Sequence, residues 1–171
     1  MVTKKLCNIC SNTNKCFDIS IACQINGPLK KIFFWLLDII RDFIPFSSWR
    51  SKILNIQGVK VGKNVFIGRG VVIDRVVPHL ISIGNNAVIT DRVIVLTHDS
   101  SHLIRGQQPK VGPIKIESNV FIGVNSVILP GVTIGHNSII GAGSIVNKNI
   151  PPNVKAVGNP ARVINGEWNE A

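Results

Sequence analysis

The 171-residue sequence has no tyrosine, a single methionine and few charged residues. Charged side chains make up 16% of it, against about 25% in a typical soluble protein. This shortage argues against a disordered, highly charged chain and against a coiled coil, which needs a dense charged face. Acidic residues are the scarcer sign, 9 against 19 basic ones, so the formal net charge is +10. Such an excess favours anionic partners: phosphates, nucleic acid or an acidic membrane.

The sequence also lacks long apolar runs, and it has no cysteine after residue 23. No segment reaches the roughly 18 apolar residues of a membrane-spanning helix, and residues 1–27 lack the apolar block of a secretory signal. We therefore expect a cytoplasmic protein. The four cysteines all lie in that leader: Cys7, Cys10, Cys16 and Cys23. The first pair has zinc-like spacing, but six residues separate the second pair, which favours free thiols in a reducing compartment over a four-thiolate metal site.

An amphipathic segment follows the leader. Gly27-Pro28 and Pro45 bracket a predicted helix over 29–44, with one broad apolar face and an opposite face containing Lys, Arg and Asp. We expect the apolar face to pack on its own domain or on a neighbouring subunit; the alternative is a peripheral membrane contact through 29–44. The predicted organisation is a leader (1–27), a helical segment with linker (28–57), a repeat domain (58–164) and a tail (165–171).

A six-residue period organises the repeat domain. Twelve aliphatic residues recur at this spacing in three runs: Val61, Ile67, Ile73; Ile83, Ile89, Val95; Ile116, Ile122, Ile128, Ile134, Ile140 and Val146. Period six fits neither an amphipathic helix nor a simple meander, and instead predicts an all-β parallel β-helix in which three short strands close each coil. Two interruptions break the period, one near Pro78-His79 and one over 99–113, which we interpret as a loop leaving the prism.

Several segments resemble a known family. They are Ile116–Gly123, Ile128–Val146, Ile150-Pro-Pro-Asn153 and Gly158-Asn-Pro-Ala-Arg-Val-Ile164. Together they resemble the hexapeptide-repeat acyltransferases, most closely sugar O-acetyltransferases of the galactoside, maltose and lipopolysaccharide types. The resemblance implies a left-handed β-helix, a homotrimer, and acetyl-coenzyme A bound in a groove between neighbouring prisms.

The resemblance also implies roles for individual residues. His98 matches the family's catalytic histidine, and an imidazole with a pKa near 6.5 suits a general base at neutral pH. Expected cofactor contacts are Val124, Ala142, Asn147, Lys148 and Arg162, of which Lys148 and Arg162 offer cations to phosphate groups. Expected acceptor contacts are Asp99, His102 and Phe121. Asp99 could also orient His98, although adjacent strand residues point to opposite sides. No metal site is predicted.

Two positions depart from the family pattern. Phe121 stands where relatives often have tryptophan, and Asn147 stands where they have threonine.

The predicted activity is acetyl-coenzyme A-dependent O-acetylation of a saccharide hydroxyl, on a cell-surface glycan or a free sugar. An amino-sugar N-acetyltransferase remains an alternative, because the same base would deprotonate an amine. A zinc carbonic anhydrase of the same fold is less favoured, since the other histidines (His79, His102 and His136) do not match its spacing. Nucleic-acid binding is disfavoured because the basic residues are scattered and have no aromatic platform beside them.

Overall fold

The computed structural model describes residues 28–107 and 109–164. The cysteine leader, with its predicted free thiols, and the tail from 165 onward lie outside the described residues. The chain divides into two units, 1–40 and 41–171. Helix α1 (Pro28–Phe43) begins in the first unit and ends in the second, one residue earlier at each end than the predicted helix. Within the described part of the chain, no helix combines the length and apolar character needed to span a membrane.

The second unit contains helix α2 (Ser47–Ile56) followed by short strands. In chain order these are β1 (Lys60–Val61), β2 (Phe66–Ile67), β3 (Val72–Ile73), β4 (Ile81–Ile83), β5 (Val88–Ile89), β6 (Ile94–Val95), β7 (His98–Asp99), β8 (Lys110–Val111), β9 (Ile114–Ile116), β10 (Phe121–Ile122), β11 (Val127–Ile128), β12 (Thr133–Ile134), β13 (Ile139–Ile140), β14 (Ile145–Val146), β15 (Lys155–Val157) and β16 (Arg162–Ile164). The described chain is thus mostly short strands, as the six-residue period predicts, with α1 where the amphipathic pattern predicts a helix and α2 in the segment interpreted as a linker.

Twelve of these strands stack in three parallel ladders. Face A is β1-β4-β9-β12, face B contains β2-β5-β10-β13, and face C is β3-β6-β11-β14. Each coil takes one strand from each face: coil 1 is β1–β3, coil 2 is β4–β6, coil 3 is β9–β11 and coil 4 is β12–β14. The corners between successive faces are called the AB, BC and CA edges below. Strand β15 continues face B beyond coil 4, and β16 pairs with it antiparallel.

The repeated aliphatic side chains form the core. In face B, Ile67, Ile89, Ile122 and Ile140 are register partners on successive coils, and all are fully buried. The residue before each of them points outward, because strand side chains alternate. Each inward residue therefore packs mainly on its equivalents in adjacent coils, which is why the apolar pattern repeats with the coil.

The AB edge is built from a ladder of asparagines. Five of them adopt left-handed backbone conformations with φ between 55° and 60°: Asn64, Asn86, Asn119, Asn137 and Asn153. Their side-chain amides form an unbroken chain, each Nδ2 donating to the next Oδ1 over 2.9–3.3 Å. Asparagine tolerates positive φ better than most residues, so it meets both the turn geometry and the stacking at this edge.

Two buried arginines attach the turn between α1 and α2 to coil 1. Arg50 of α2 donates to the carbonyls of Ile44 (2.9 Å), Pro45 (3.2 Å) and Ile67 (2.7 Å). Arg41 donates from Nη2 to the Val71 carbonyl over 2.9 Å. The turn between α1 and α2 is therefore fixed to the first coil by charged hydrogen bonds.

Both interruptions of the period have their own local structure. The first contains a 3₁₀ helix, Pro78–Leu80. In the second, β7 and β8 pair antiparallel and enclose a 3₁₀ helix over Ser101–Arg105. The segment interpreted as a loop over 99–113 is thus part of a short hairpin that begins at His98, at the CA edge.

Candidate active site

His98 lies where the chain leaves face C at the CA edge. It follows β6 and opens β7, where it pairs with Val111 on β8. The bond from the Gly112 amide to the Thr97 carbonyl (2.9 Å) closes the base of this hairpin. The His98 side chain is 31% exposed, so the imidazole is held by the backbone but remains accessible to a solute.

A buried carboxylate contacts the imidazole. Asp74 Oδ2 lies 2.5 Å from His98 Nδ1 and also accepts hydrogen bonds from the Thr97 amide (2.9 Å) and hydroxyl (2.5 Å). Its Oδ1 accepts from the Val76 amide over 2.8 Å. Burial raises the pKa of Asp74, but the hydrogen bonds from Thr97, Val76 and His98 outweigh it and hold that pKa below the ordinary 3.8.

This arrangement selects the tautomer of His98. An ionised carboxylate only accepts hydrogen bonds, so Nδ1 carries the proton and Nε2 retains a free lone pair. Among the described residues, none forms a hydrogen bond with Nε2. The geometry therefore supplies a partly exposed imidazole with a free Nε2 lone pair and a buried carboxylate against Nδ1.

Asp74 follows Ile73 in the repeat, and no motif of the sequence marks it as a candidate site residue. The available signal was the coil register: Ile73 and Val95 are partners on face C, so the residues that follow them meet at the CA edge. Asp99 lies elsewhere, because its Oδ1 accepts from the Ser101 amide over 2.9 Å. The carboxylate that orients the imidazole is thus Asp74.

Two of the predicted cofactor contacts lie together at the BC edge. Val124 and Ala142 occupy equivalent positions on coils 3 and 4, and both are exposed. The Gly143 amide donates to the Val124 carbonyl over 2.8 Å. A Cβ on Gly123 would lie 2.5 Å from the Ala142 amide nitrogen, so only glycine permits this close stacking. The result is a closely stacked strip of exposed residues along this edge.

The predicted phosphate contacts lie near the end of the prism. Asn147 and Lys148 follow β14 at the CA edge, on the same edge as His98 and two coils away, about 10 Å along the axis at the usual strand spacing. Arg162 lies in β16, exposed, with Nη1 donating to the Ala161 carbonyl over 3.1 Å. A single copy thus separates His98 and Lys148 from Val124 and Ala142 by the full width of face C.

The predicted acceptor residues are dispersed. Phe121 points outward from face B and is 40% exposed. His102 lies in the 3₁₀ helix, with Nδ1 3.1 Å from Gln107 Oε1. Neither forms a hydrogen bond or ion pair with His98.

A second polar cluster occupies face A near the AB edge. Glu117 contacts Lys115 Nζ (2.7 Å) and His136 Nδ1 (3.2 Å). Hydrogen bonds from Lys115 and His136 lower the pKa of Glu117 to about 2. Over residues 28–107 and 109–164, no three His, Cys, Asp or Glu side chains form a group able to hold a metal ion.

Comparisons with known proteins agree with this architecture. The family model described as the hexapeptide repeat of succinyl-transferase matches residues 50–75, 58–90 and 113–148. An inferred acetyltransferase of Schizosaccharomyces pombe is 46% identical over 155 residues, covering 90% of this chain and 64% of that protein. The galactoside O-acetyltransferase of Escherichia coli K12 is 46% identical over 113 residues, covering 60% of this chain and 54% of the enzyme. This chain therefore spans between half and two thirds of the length of these two relatives.

A solved structure extends the comparison over most of both chains. A galactoside acetyltransferase in complex with coenzyme A superimposes with a TM-score of 0.60 and 30% identity. The match covers 90% of this chain and 84% of that one. Because the chain has the six-residue repeat, the three-faced fold and this similarity, it belongs to the hexapeptide-repeat acetyltransferase family.

Proposed function

We propose that this protein transfers an acetyl group from acetyl-coenzyme A to a hydroxyl of a saccharide, either a cell-surface glycan or a free sugar, with His98 as general base. The observation that supports this most directly is the His98–Asp74 pair: a partly exposed imidazole whose Nδ1 is 2.5 Å from a buried carboxylate. The relatives named as galactoside acetyltransferases support the saccharide as acceptor.

The chemistry follows from the free Nε2 of His98. As the acceptor oxygen attacks the carbonyl carbon of the acetyl thioester, Nε2 takes the hydroxyl proton. General-base catalysis of this kind contributes roughly 10²–10⁴ in rate. The imidazolium so formed is stabilised by Asp74, whose lowered pKa keeps it ionised throughout the working pH range. The same proton then passes to the departing thiolate. The cofactor supplies the activated acetyl thioester.

The described residues fit a cofactor with several phosphates. Lys148 and Arg162 are exposed and form no ion pair with a described carboxylate. The strip at Val124 and Ala142 offers exposed backbone for an extended, uncharged arm. Asn147 would contribute an amide where the family pattern has a hydroxyl.

His98 and Lys148 lie on the CA edge, whereas Val124 and Ala142 lie on the BC edge. These two pairs come together only if the CA edge of one copy faces the BC edge of the next. Three copies arranged in this way place the AB edges at a common axis and turn faces A and B inward. The proposal is therefore a homotrimer of left-handed prisms with a cofactor groove between each pair. The apolar outward residues of face B, including Phe66 and Phe121, would be covered in this assembly.

A matched pair of variants tests the assembly. Phe66 and Val72 both point outward on coil 1 and are 44% and 49% exposed, but they lie on faces B and C respectively. We expect Phe66→Glu to convert a trimer of three 18.6 kDa chains into monomers in analytical ultracentrifugation. Val72→Glu should leave the trimer intact. A monomeric wild-type protein, or dissociation by Val72→Glu alone, would contradict the arrangement.

The helical segment is proposed to touch an anionic membrane. At the turn between α1 and α2, Phe43, Phe46 and Trp49 are 83%, 66% and 59% exposed. Lys52 Nζ lies 5.8 Å from the centre of the Trp49 ring, so a cation accompanies the aromatic group. Aromatic and basic side chains together suit the interface of an acidic bilayer. Sedimentation with vesicles containing phosphatidylserine, but not with pure phosphatidylcholine, is the expected result.

The activity itself is tested by thiol release from acetyl-coenzyme A with a panel of neutral sugars, acidic sugars and amino sugars. His98→Ala should retain coenzyme A binding and lose turnover by about two orders of magnitude or more. His79→Ala, which removes an exposed imidazole from the Pro78–Leu80 helix, is the matched control and should behave as wild type. Unchanged turnover in His98→Ala refutes the mechanism, and acetylation of amines alone would redirect the proposal to N-acetyl transfer.

A further inference from the structure

Arg92 occupies an unusual backbone position at the BC edge. It has a left-handed φ of 59°. The equivalent residues of the other coils are Gly70, Asn125 and Gly143, with φ of 63°, 57° and 67°. Glycine and asparagine adopt this conformation readily, whereas a long side chain at positive φ is disfavoured. An arginine here is unfavourable for the turn, which suggests that its guanidinium is retained for another purpose.

A second arginine lies next to it on coil 1. The Arg92 amide donates to the Arg69 carbonyl over 2.8 Å, so the two residues are neighbours on adjacent coils, offset by one position along the edge. Both are exposed, and no described carboxylate forms an ion pair with either. The neighbouring Asp91 uses Oδ1 to accept from the Arg69 backbone amide over 2.7 Å. Two guanidinium groups on adjacent turns of one edge can converge on one carboxylate or phosphate.

The position of this pair along the prism connects it to the proposed active site. Rotation about an axis parallel to the prism moves no residue along that axis. In the proposed trimer, Arg92 on coil 2 therefore lies level with His98 on coil 2 of the neighbouring copy. Val124 and Ala142 lie on coils 3 and 4 of the same edge, so Arg92 continues that strip to the level of the base and Arg69 lies one coil beyond it.

We infer that Arg92 and Arg69 form an anion subsite for the acceptor, and that the acceptor is an acidic saccharide with a carboxylate or phosphate near the acetylated hydroxyl. This rests on the proposed function, since it names the substrate class of that same groove. The net charge of +10 would assist the approach of such an acceptor.

The test compares acceptors that differ only in charge: a hexose, its uronic acid and its 6-phosphate. Wild-type kcat/KM is expected to favour at least one acid over the hexose by tenfold or more. Arg92→Asn introduces a residue that adopts the left-handed turn readily, as Asn125 does on coil 3. It should reduce the preference for the acid over the hexose at least tenfold, through a higher KM for the acid. Lys63→Asn removes an exposed cation from the AB edge and is the matched control, with the preference unchanged. Which acid is preferred distinguishes a carboxylate from a phosphate source.

Direct binding keeps this inference independent of turnover. By titration calorimetry, wild type should bind glucuronate or glucose 6-phosphate at least tenfold more tightly than Arg92→Asn. Absence of binding to both anions, equal binding by the two proteins, or a rise in KM for acetyl-coenzyme A in place of the acceptor effect would overturn it. Loss of thiol release with every acceptor while anion binding persists would instead count against the proposed acetyl transfer.

Discussion

Replacing Asp74 with asparagine separates the charge of this residue from its size. The carboxylate accepts four hydrogen bonds, from the Thr97 amide, the Thr97 hydroxyl, the Val76 amide and His98 Nδ1. An asparagine side chain has one acceptor oxygen and one donor group. Whichever way it is oriented, its NH₂ group faces at least one N–H that Asp74 now satisfies. We expect a loss of stability of about 1–3 kcal/mol for the buried donor left unpaired.

The effect on catalysis should be larger. If the amide NH₂ faces His98, Nδ1 must accept and the proton moves to Nε2, which then cannot act as a base. If the amide oxygen faces His98, the tautomer survives but the imidazolium loses its adjacent anion. In either case kcat should fall by about 10²–10⁴, the range for general-base catalysis, and the larger figure matches a histidine held in the wrong tautomer.

The assay is steady-state thiol release at saturating acetyl-coenzyme A, with circular dichroism to verify folding. Asp42→Asn is the matched control, because Asp42 is an exposed carboxylate 3.6 Å from Arg41 and lies away from the imidazole. A folded Asp74→Asn protein that turns over within threefold of wild type would refute the role assigned to this carboxylate.

Three further outcomes follow from the described contacts. Because the folded-state pKa of Asp74 lies below the ordinary 3.8, its contribution to stability is present above that value and is lost as pH falls through the folded-state pKa. Below pH 3.8, wild type should therefore progressively lose its stability advantage over Asp74→Asn in urea titrations, and a constant advantage from pH 7 to pH 2 would contradict this. Gly123→Ala places a methyl group against the Ala142 backbone. It should therefore destabilise the prism by about 1–3 kcal/mol and weaken coenzyme A binding. An unchanged Tm would contradict this and show that the edge relaxes around the methyl group. Arg50→Met should lower the free energy of unfolding by about 3 kcal/mol, because three carbonyls, including that of Ile67, lose a charged donor. Chemical denaturation measures this free energy. A loss under 1 kcal/mol would contradict the prediction and mean that water replaces the guanidinium.

The coil architecture was predictable from the sequence because its cause is local. Each hexad places its repeated aliphatic residue inward, together with a small or aliphatic residue two positions before it, and the same short pattern recurs until the prism ends. Pro28 and Pro45 likewise delimit the helix to within one residue at each end. These features depend on residues a few positions apart, so they are visible in the text of the sequence.

The partner of His98 was harder to predict because it depends on stacking. Asp74 lies 24 positions earlier in the chain, and the two residues meet only because coil 2 lies on coil 1. The irregular step between Ile73 and Ile83 hides this register. Sequence reasoning turned instead to Asp99, the adjacent carboxylate, whose side chain closes a local turn with Ser101. The roles of Val124, Ala142, Lys148 and Arg162 stay predictions, because they depend on a neighbouring copy and a bound cofactor.

The stacked coils also mean that the prism itself can be lengthened or shortened only by whole coils. Adding or removing eighteen residues inserts or deletes one full turn, leaves all three corners aligned, and changes the separation of His98 and Lys148 by one strand spacing, about 4.8 Å. A change of six residues instead rotates everything downstream by one corner and moves Lys148 off the corner it shares with His98. Apart from insertions that leave and rejoin the prism at an edge, as at 78–80 and 99–113, length variants that keep the activity should therefore differ within the repeat by multiples of eighteen. Those gained or lost between His98 and Lys148 should alter which acyl carrier fits.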